Sequence, residues 1–360
     1  MPPFCKLTDL ADYRACNWDL SADDAGRENW IHVFEEHTPS YVQHARTSDF
    51  PPAEAEIETF RKRFMDLLEL VRREPDHYAP LDINVLCKLR LDLSLEHGLI
   101  DPYDKVKREE NEAALARLPE LLTLLDREPD ERIVETLVRG VLAGNKFDLG
   151  AKATVDQHEA GGIDFFVTLN DLVPRPWFVD HLDAISARLG PGRLAYRKAI
   201  YFVDNAGGDV ILGALPLSRY LADHGCTVVL AANDQPSLND ITVTELNAVL
   251  ERAAGQDSRI AAHLKKGRIR TVGTACDCPL IDLAEVSAAC NDAAADCDLI
   301  ILEGMGRAVE TNYDARFTCD TIRIAMIKNR FLAPWLGCKL FDLIAGFTPA
   351  NSEPLFAVRR

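Results

Sequence analysis

Two adjacent polar residues, Asp204 and Asn205, follow a run of apolar residues at 199–203. Such a run is typical of a buried strand in a parallel sheet. A carboxylate and an amide at the end of that strand would lie in the crevice where open α/β sheets bind ligands. Gly207 and Gly208 come next, and they would let backbone N–H groups approach an anion. An ordinary turn is the alternative, because Asp, Asn and Gly are also common turn residues.

Two further apolar runs end in polar or glycine-rich loops. Residues 227–232 lead through an Asn- and Asp-rich loop to Asp240, and residues 298–302 lead to a loop at 303–307. Ligand crevices form at the carboxyl ends of parallel strands, so we expect the three loops to share one edge of the sheet. The loop after the last of these runs consists of Glu303, Gly304, Met305, Gly306 and Arg307.

These loops carry the residue types that metal-assisted phosphate chemistry needs. Asp204, Asn205 and Asp240 offer only oxygen ligands, which favours a partly hydrated Mg²⁺ or Mn²⁺ over zinc. Such an ion can assist hydrolysis of a phosphate ester. Arg307 would supply a planar group for phosphate and Lys328 a point charge. Taken singly, Arg307 could equally form a surface salt bridge, and Lys328 could be a solvated strand end.

The sequence indicates which residues form the site more clearly than it indicates the catalytic role of each one. Asp204, Asp240 and Lys328 are the predicted catalytic residues. The proton acceptor stays open between Asp148, Asp240 and Glu303, and Asp204 could instead act as a nucleophile.

A second polar stretch lies between the two glycines of residues 144–150. It contains Asn145 and Asp148, at the predicted seam of two domains. The stretch could be an ordinary helix cap and turn, or it could reach into the site from the helical side.

The elements that must position these residues change character along the chain. Residues 1–50 show little periodicity and predict an arm with short helices, whereas residues 51–164 carry apolar positions at three-and-four spacing and predict a helical domain. From residue 165 to 360, strand, turn and helix alternate. This alternation predicts an α/β fold with a mostly parallel, Rossmann-like sheet flanked by helices.

Composition narrows the class of protein. The chain has 360 residues, 47% of them hydrophobic, and a net charge of −17. A strongly acidic protein is a poor candidate for a nucleic-acid partner, and no apolar run is long enough to suggest a membrane partner. The first residues lack a basic start and an apolar run, so we expect a cytoplasmic protein. The oligomeric state cannot be predicted.

The ten cysteines are scattered along the chain. Cys276, Cys278, Cys290 and Cys297 lie closest together, but their spacing lacks the paired knuckles of a zinc site. We therefore expect reduced, mostly buried thiols.

Three motifs together resemble the damage-control phosphatase family. They are VDNAGGD at 203–209, QPSLNDIT at 235–242 and EGMGR at 303–307. The last is the signature of the eukaryotic branch, which includes free-standing plant proteins and the phosphatase domain of pantothenate-kinase-like proteins. The resemblance implies a metal-dependent phosphatase with a helical N-terminal part and a Rossmann-like α/β part.

The resemblance also implies roles for individual residues. Residues 303–307 look like the substrate-binding loop, and Lys328 falls where relatives place a phosphate-contacting lysine. Many members carry an acid directly after DNAG, whereas here Gly208 intervenes before Asp209, so the pattern assigns Asp209 no role. The implied metal ligands are Asp204, Asn205 and Asp240, and Asn145 and Asp148 match a further recurring motif. The cofactor would be Mn²⁺, Mg²⁺, Co²⁺ or Ni²⁺.

The branch implies a substrate of the coenzyme A pathway, namely 4′-phosphopantetheine and its oxidised forms. The residues themselves indicate only a small phosphorylated metabolite. Two alternatives belong to other classes: a small-molecule methyltransferase on a Rossmann-like sheet, and a protein that binds metal or metabolite without turnover.

Overall fold

Three N-terminal helices form a core of their own. The computed structural model describes residues 1–8, 10–146, 165–192 and 194–355. Helices α1 (Asp24–Thr47), α2 (Glu54–Arg73) and α3 (Ile83–Glu96) bury a shared set of aromatic and aliphatic side chains. Asp23 and Asp82 cap α1 and α3 by accepting hydrogen bonds from backbone N–H groups. This core holds the helices as one layer.

The N-terminal region differs from the predicted arm with short helices. Helix α1 is a single helix of 24 residues and packs against α2. Pro39 lies inside this helix, although proline normally interrupts a helix. The residues before α1 do cover the body, since Phe4 packs against Phe202 at 5.5 Å between ring centroids. The domain limits at residues 50 and 164 stay predictions.

Two further helices connect this layer to the sheet. Helices α4 (Asp104–Leu125) and α5 (Ile133–Asn145) contribute their apolar faces to the same core as one face of the sheet. The end of α5 at Asn145 is thereby brought against the central strands.

The sheet has seven strands. They are β1 (Val179–Asp180), β2 (Lys198–Phe202), β3 (Thr227–Ala232), β4 (Ile269–Gly273), β5 (Leu299–Glu303), β6 (Asp320–Met326) and β7 (Leu343–Thr348). Their order is β1-β7-β6-β5-β2-β3-β4, and every neighbouring pair is parallel except β6–β7. The predicted α/β class with a mostly parallel sheet is confirmed.

Helices cover both faces of this sheet. They are α6 (Phe165–Asp171), α7 (Leu182–Leu189), α8 (Leu215–Asp223), α9 (Val243–Ala254), α10 (Ser258–Lys265), α11 (Ala288–Ala294) and α12 (Leu332–Leu336), and a π-helical turn, Asp209–Ala214, precedes α8. The central strand β2 is buried on both sides, with Tyr201 in one core and Phe202 in the other. None of the helices in the described residues has the length and apolar character needed to cross a membrane.

The strand order reverses between β2 and β5. From β2 the chain proceeds outward to β3 and β4, whereas from β5 it proceeds to β6 and β7 on the other side. The loops after β2 and β5 therefore diverge and leave a crevice, which is where open α/β sheets bind ligands. Asp204 and Gly304 lie at the two sides of this crevice.

Candidate active site

Backbone hydrogen bonds join the loops that follow β2 and β3. The Ile241 N–H donates to the Asp204 carbonyl (3.1 Å), and the Ala206 N–H donates to the Asn239 carbonyl (2.9 Å). Asn205 and Asp240 pair as an isolated antiparallel bridge. These bonds explain how Asp240 comes to lie beside Asp204 and Asn205, although it is 35 or more residues away in sequence.

The carboxylates of Asp204 and Asp240 converge on one guanidinium, that of Arg307. Its Nη1 contacts the Asp204 carboxylate, and its Nη2 donates to Asp240 Oδ2 at 2.6 Å. Burial would lower the pKa of the Arg307 guanidinium, but the charges of Asp240 and Asp204 raise it above its ordinary value. All three side chains are buried. The protein therefore already holds a positive charge between two of the three predicted metal ligands.

Asn205 and Asn145 brace the same carboxylate from the other side. The Asn205 Nδ2 donates to Asp204 Oδ2 at 2.9 Å and to Asp209 Oδ2 at 2.8 Å. The Asn145 Nδ2 reaches the same two oxygens at 3.3 and 3.2 Å. Both bonds of Asn205 use its nitrogen, so its amide oxygen is the atom that this side chain could offer to a cation.

Asp209 lies at the centre of this network, although its position in the motif assigned it no role. It is 1% exposed and also accepts a hydrogen bond from the Asn205 backbone N–H. Burial raises the pKa of its carboxyl group, and the charge of Lys328 opposes that shift. Its acceptor bonds fix both asparagines, which makes Asp209 a positioning residue.

The loop at 303–307 divides between the pocket and the protein interior. Met305 and Gly306 line the pocket, whereas Glu303 is fully buried at the end of β5. Burial and the nearby negative charge of Asp209 raise the pKa of the Glu303 carboxyl group well above its ordinary value. Arg307 faces the carboxylates, as described above. Only part of this predicted substrate-binding loop is thus placed to touch a ligand.

Lys328 connects the site to helix α5. Its Nζ donates to the Asn145 carbonyl at 2.8 Å, and its side chain lines the pocket. Asn145 does not line the pocket, because its side chain is turned toward Asp204 and Asp209. Asn145 therefore reaches into the site, as one of the two interpretations predicted, but it holds other site residues. Asp148 lies outside the described residues.

A pocket of about 320 Å³ joins the site to the helical layer. Asp204, Asn205, Asp240 and Lys328 line its sheet side. Its opposite side is formed by α1, α3 and a loop, through Trp30, Val33, Phe34, Ile83 and Leu280. Glu36, His37 and Arg90 also line the helical side. A ligand in the pocket would therefore contact polar groups on the sheet side and both apolar and charged groups on the helical side.

Comparisons with known proteins identify the family of this chain. The damage-control phosphatase ARMT1-like domain matches residues 33–344. The chain belongs to the ARMT1-like damage-control phosphatase family. The damage-control phosphatase At2g17340 of Arabidopsis thaliana is 38% identical over 364 residues, which cover 98% of each chain.

The chain is also similar to parts of two longer proteins and to one solved structure. The 4′-phosphopantetheine phosphatase of Mus musculus is 32% identical across 94% of this chain and 47% of its own length. Pantothenate kinase 2 of Arabidopsis thaliana is 36% identical across 97% of this chain and 42% of its own length. This chain therefore spans less than half of either protein. A DUF89 family protein from Pyrococcus horikoshii shares the fold, with a TM-score of 0.62 and 20% identity over 89% of this chain and 97% of that one.

The helical side of the pocket was not predicted from the sequence of this damage-control phosphatase family member. Trp30, Val33, Phe34 and His37 recur at three-and-four spacing, and this pattern marks one face of α1. That spacing was the available signal. It predicts a buried helix face but does not show that the face is turned toward a ligand pocket.

Metal ligation at the site would rest on a small donor set. Within the described ranges, no three Asp, Glu, His or Cys side chains are grouped as metal ligands. A cation between Asp204 and Asp240 would therefore depend on two carboxylates, the Asn205 amide oxygen and water. All ten cysteines are free thiols, but only five of them are buried, fewer than the prediction of mostly buried thiols implied.

Proposed function

We propose that this protein is a divalent-metal-dependent phosphatase that hydrolyses a small phosphomonoester. The observation that carries the proposal is the convergence of Asp204 and Asp240 around one positive charge at the side of a ligand-sized pocket. Two buried carboxylates this close need a cationic partner, because like charges in a low dielectric repel strongly.

The donor set fits a hard divalent cation. Asp204, Asn205 and Asp240 would hold it through oxygen atoms, the ligand type that Mg²⁺ and Mn²⁺ prefer, and Co²⁺ or Ni²⁺ could occupy the same site. Such an ion supplies Lewis-acid polarisation of a phosphoryl oxygen when bound. Arg307 would compete with it for the same carboxylate oxygens.

The remaining residues supply charge and orientation. Lys328, on the pocket wall, would neutralise charge that develops on the phosphoryl oxygens. Asp240 lines the pocket, whereas Glu303 is shut off from it and holds its proton more tightly than usual. Between these two carboxylates we favour Asp240 as the proton acceptor. Asp148, the third candidate, lies outside the described residues. Asn145 and Asp209 would keep Asp204 in place.

The substrate that we propose is 4′-phosphopantetheine or one of its oxidised forms. The mouse relative bears the name of a 4′-phosphopantetheine phosphatase. A long, mostly uncharged arm next to a phosphate suits a pocket with a polar sheet side and a helical side on which apolar groups predominate.

Phosphate release from 4′-phosphopantetheine, measured with and without added Mn²⁺, tests the proposal. We expect release to require the metal, to stop on chelation and to fall by at least about 100-fold in Asp240→Asn, since a preorganised charged group at the reacting centre is removed. Metal binding without phosphate release from any of a panel of phosphomonoesters would contradict the proposal and favour the non-catalytic alternative. Binding of S-adenosylmethionine would favour the methyltransferase.

A further inference from the structure

Arg90 is a buried cation on the helical side of the pocket. It lies on α3, is 8% exposed and lines the pocket. Its guanidinium carbon lies 5.1 Å from the ring centroid of Phe34 and 5.5 Å from that of Tyr41. These two rings hold the planar group in place by cation–π contact.

Arg90 lacks the carboxylate partners of three other buried cations. Lys107, Arg219 and Arg307 each contact two carboxylates. Arg323 is also buried without a carboxylate partner, but it donates hydrogen bonds to two backbone carbonyls and to the Thr348 hydroxyl. In the described parts of the chain, Arg90 makes no hydrogen bond and no ion pair with a carboxylate. Burying a charged group without such a partner is costly. A guanidinium in this state, at the wall of a pocket, is prepared to bind an anion.

Arg90 and the proposed phosphate site lie on different sides of the pocket. Lys328 and Asp204 lie on the sheet side, and Arg90 lies on the helical side. Glu36 also lines the helical side, where its carboxylate pairs with Arg330. A molecule that spans the pocket would therefore meet a cationic side chain on each side.

We propose that Arg90 binds a second anionic group of the substrate, at the end opposite its phosphate. The inference rests on the proposed function. It narrows the substrate from any small phosphomonoester to one that carries an oxyanion, such as a sulfonate or carboxylate, at the far end of its arm. A guanidinium suits this role because its fork of N–H donors matches a planar or trigonal oxyanion in a bidentate way. Arg90 thereby determines specificity and takes no part in the chemical step.

The test compares two substrates that differ in one charge. They are 4′-phosphopantetheine and the same molecule with its thiol oxidised to a sulfonate, assayed with Mn²⁺. We expect the wild-type protein to have a lower KM for the sulfonate. Arg90→Gln should raise that KM by about 10- to 100-fold, the loss expected for a hydrogen bond between charged groups. The KM for the thiol form and both kcat values should change less than about threefold.

Two further variants separate binding from folding. Arg90→Lys keeps the charge and should retain part of the preference for the sulfonate, and it stands in for Arg90→Gln if that variant does not fold. Arg188→Gln is the matched control. Arg188 also stacks on an aromatic ring, 4.0 Å from the centroid of Phe347, and it pairs with Asp320 at the start of β6, at the opposite end of that strand from Lys328. We expect its selectivity to equal that of the wild type.

Calorimetry with the sulfonate form distinguishes failure of this inference from failure of the proposed function. Tighter binding to the wild type than to Arg90→Gln supports a role for Arg90 even if no phosphate is released. Equal binding to the wild type and to Arg90→Gln would overturn the inference. A rise in KM that is the same for both substrates would also overturn it and leave Arg90 a structural residue of the helical layer.

Discussion

The Arg307 guanidinium lies between two carboxylates of the site. It is 2% exposed and pairs with both Asp204 and Asp240. It therefore forms a buried ion pair and not the surface salt bridge that was one of its alternatives. A buried pair of this kind contributes little net stability, but removal of one partner leaves uncompensated charge. Its position indicates that the two carboxylates are built to share one cation.

Gly304 has no side chain, and this leaves room for the Asp204 carboxylate. Its φ is +85°, and a Cβ at this position would lie 2.0 Å from Asp204 Oδ2. We predict that Gly304→Ala displaces this carboxylate and weakens Mn²⁺ binding by about 10- to 100-fold, as the loss of a group that orients a ligand does. Calorimetric titration with Mn²⁺ measures the change.

Gly337→Ala is the control for backbone strain. Gly337 has a φ of +75°, but a Cβ there would meet no atom within 4 Å. Both alanine variants should lose about 1–2 kcal/mol of unfolding free energy from the left-handed backbone. Equal Mn²⁺ affinity in the two variants would show that Gly304 does not make room for Asp204.

At the scale of elements, helix α5 approaches the loop after β2 with almost no space between them. A Cβ on Gly144 would lie 2.8 Å from the Asp209 Cα and 2.9 Å from the Gly208 carbonyl oxygen. We predict that Gly144→Ala lowers the unfolding free energy by about 1–3 kcal/mol, because the backbone must move to accommodate the methyl group. Phosphate release should fall as well, since Asn145 and Asp209 would shift.

Gly140, one turn earlier in the same helix, provides the comparison. The nearest atom to a Cβ there is the Leu212 carbonyl oxygen at 3.6 Å, an ordinary contact. Gly140→Ala should therefore stabilise the protein by up to about 1 kcal/mol through helix propensity. If urea denaturation gave the same stability for both alanine variants, the close approach of α5 would not matter.

The sequence predicted the elements with strong patterns and missed the others. Strands β2, β3 and β5 are uninterrupted apolar runs, and their ends were located to within a residue or two. Strand β4 was missed because Ile269–Gly273 carries Arg270 and is only partly buried at the sheet edge. Strand β1, with two residues, is too short to have a pattern.

At the scale of the whole molecule, Lys107 joins the helical layer to the sheet layer. It is fully buried on α4, where its Nζ contacts Asp101 at 2.9 Å and Glu245 of α9 at 2.8 Å. Burial lowers the pKa of Lys107, but both carboxylates raise it to a net value above 10.5. The stabilisation from the protonated Lys107 is therefore present at neutral pH, and it is lost only as the pH rises through the raised pKa of Lys107.

We predict that Lys107→Met lowers the unfolding free energy by about 1.5–3 kcal/mol, because two partly buried carboxylates lose a hydrogen-bonded counter-charge. Chemical denaturation measures this loss. Arg252→Gln is the control, since Arg252 pairs with Glu112 of α4 at the exposed edge of the same two helices. A surface pair contributes little, so its stability should stay close to that of the wild type. Similar losses in both variants would contradict a special role for Lys107.

The pocket belongs to the whole molecule, and this limited what the sequence could show. Its sheet side follows from a general rule about strand ends, so Asp204, Asn205 and Asp240 could be chosen from local pattern. Its helical side depends on how α1 and α3 dock on the sheet, and no local pattern encodes that docking. Arg90 and Asp209 were missed for this reason. Their roles arise from contacts between residues far apart in the chain.

The proposed metal site holds one divalent cation among Asp204, Asn205 and Asp240. An anomalous difference map from a crystal of the protein soaked in Mn²⁺ would locate that cation. We expect a single strong peak among these three side chains, with the Arg307 guanidinium moved away from at least one carboxylate. A peak at another position, or Arg307 still bound to both carboxylates at saturating Mn²⁺, would contradict the proposed metal site.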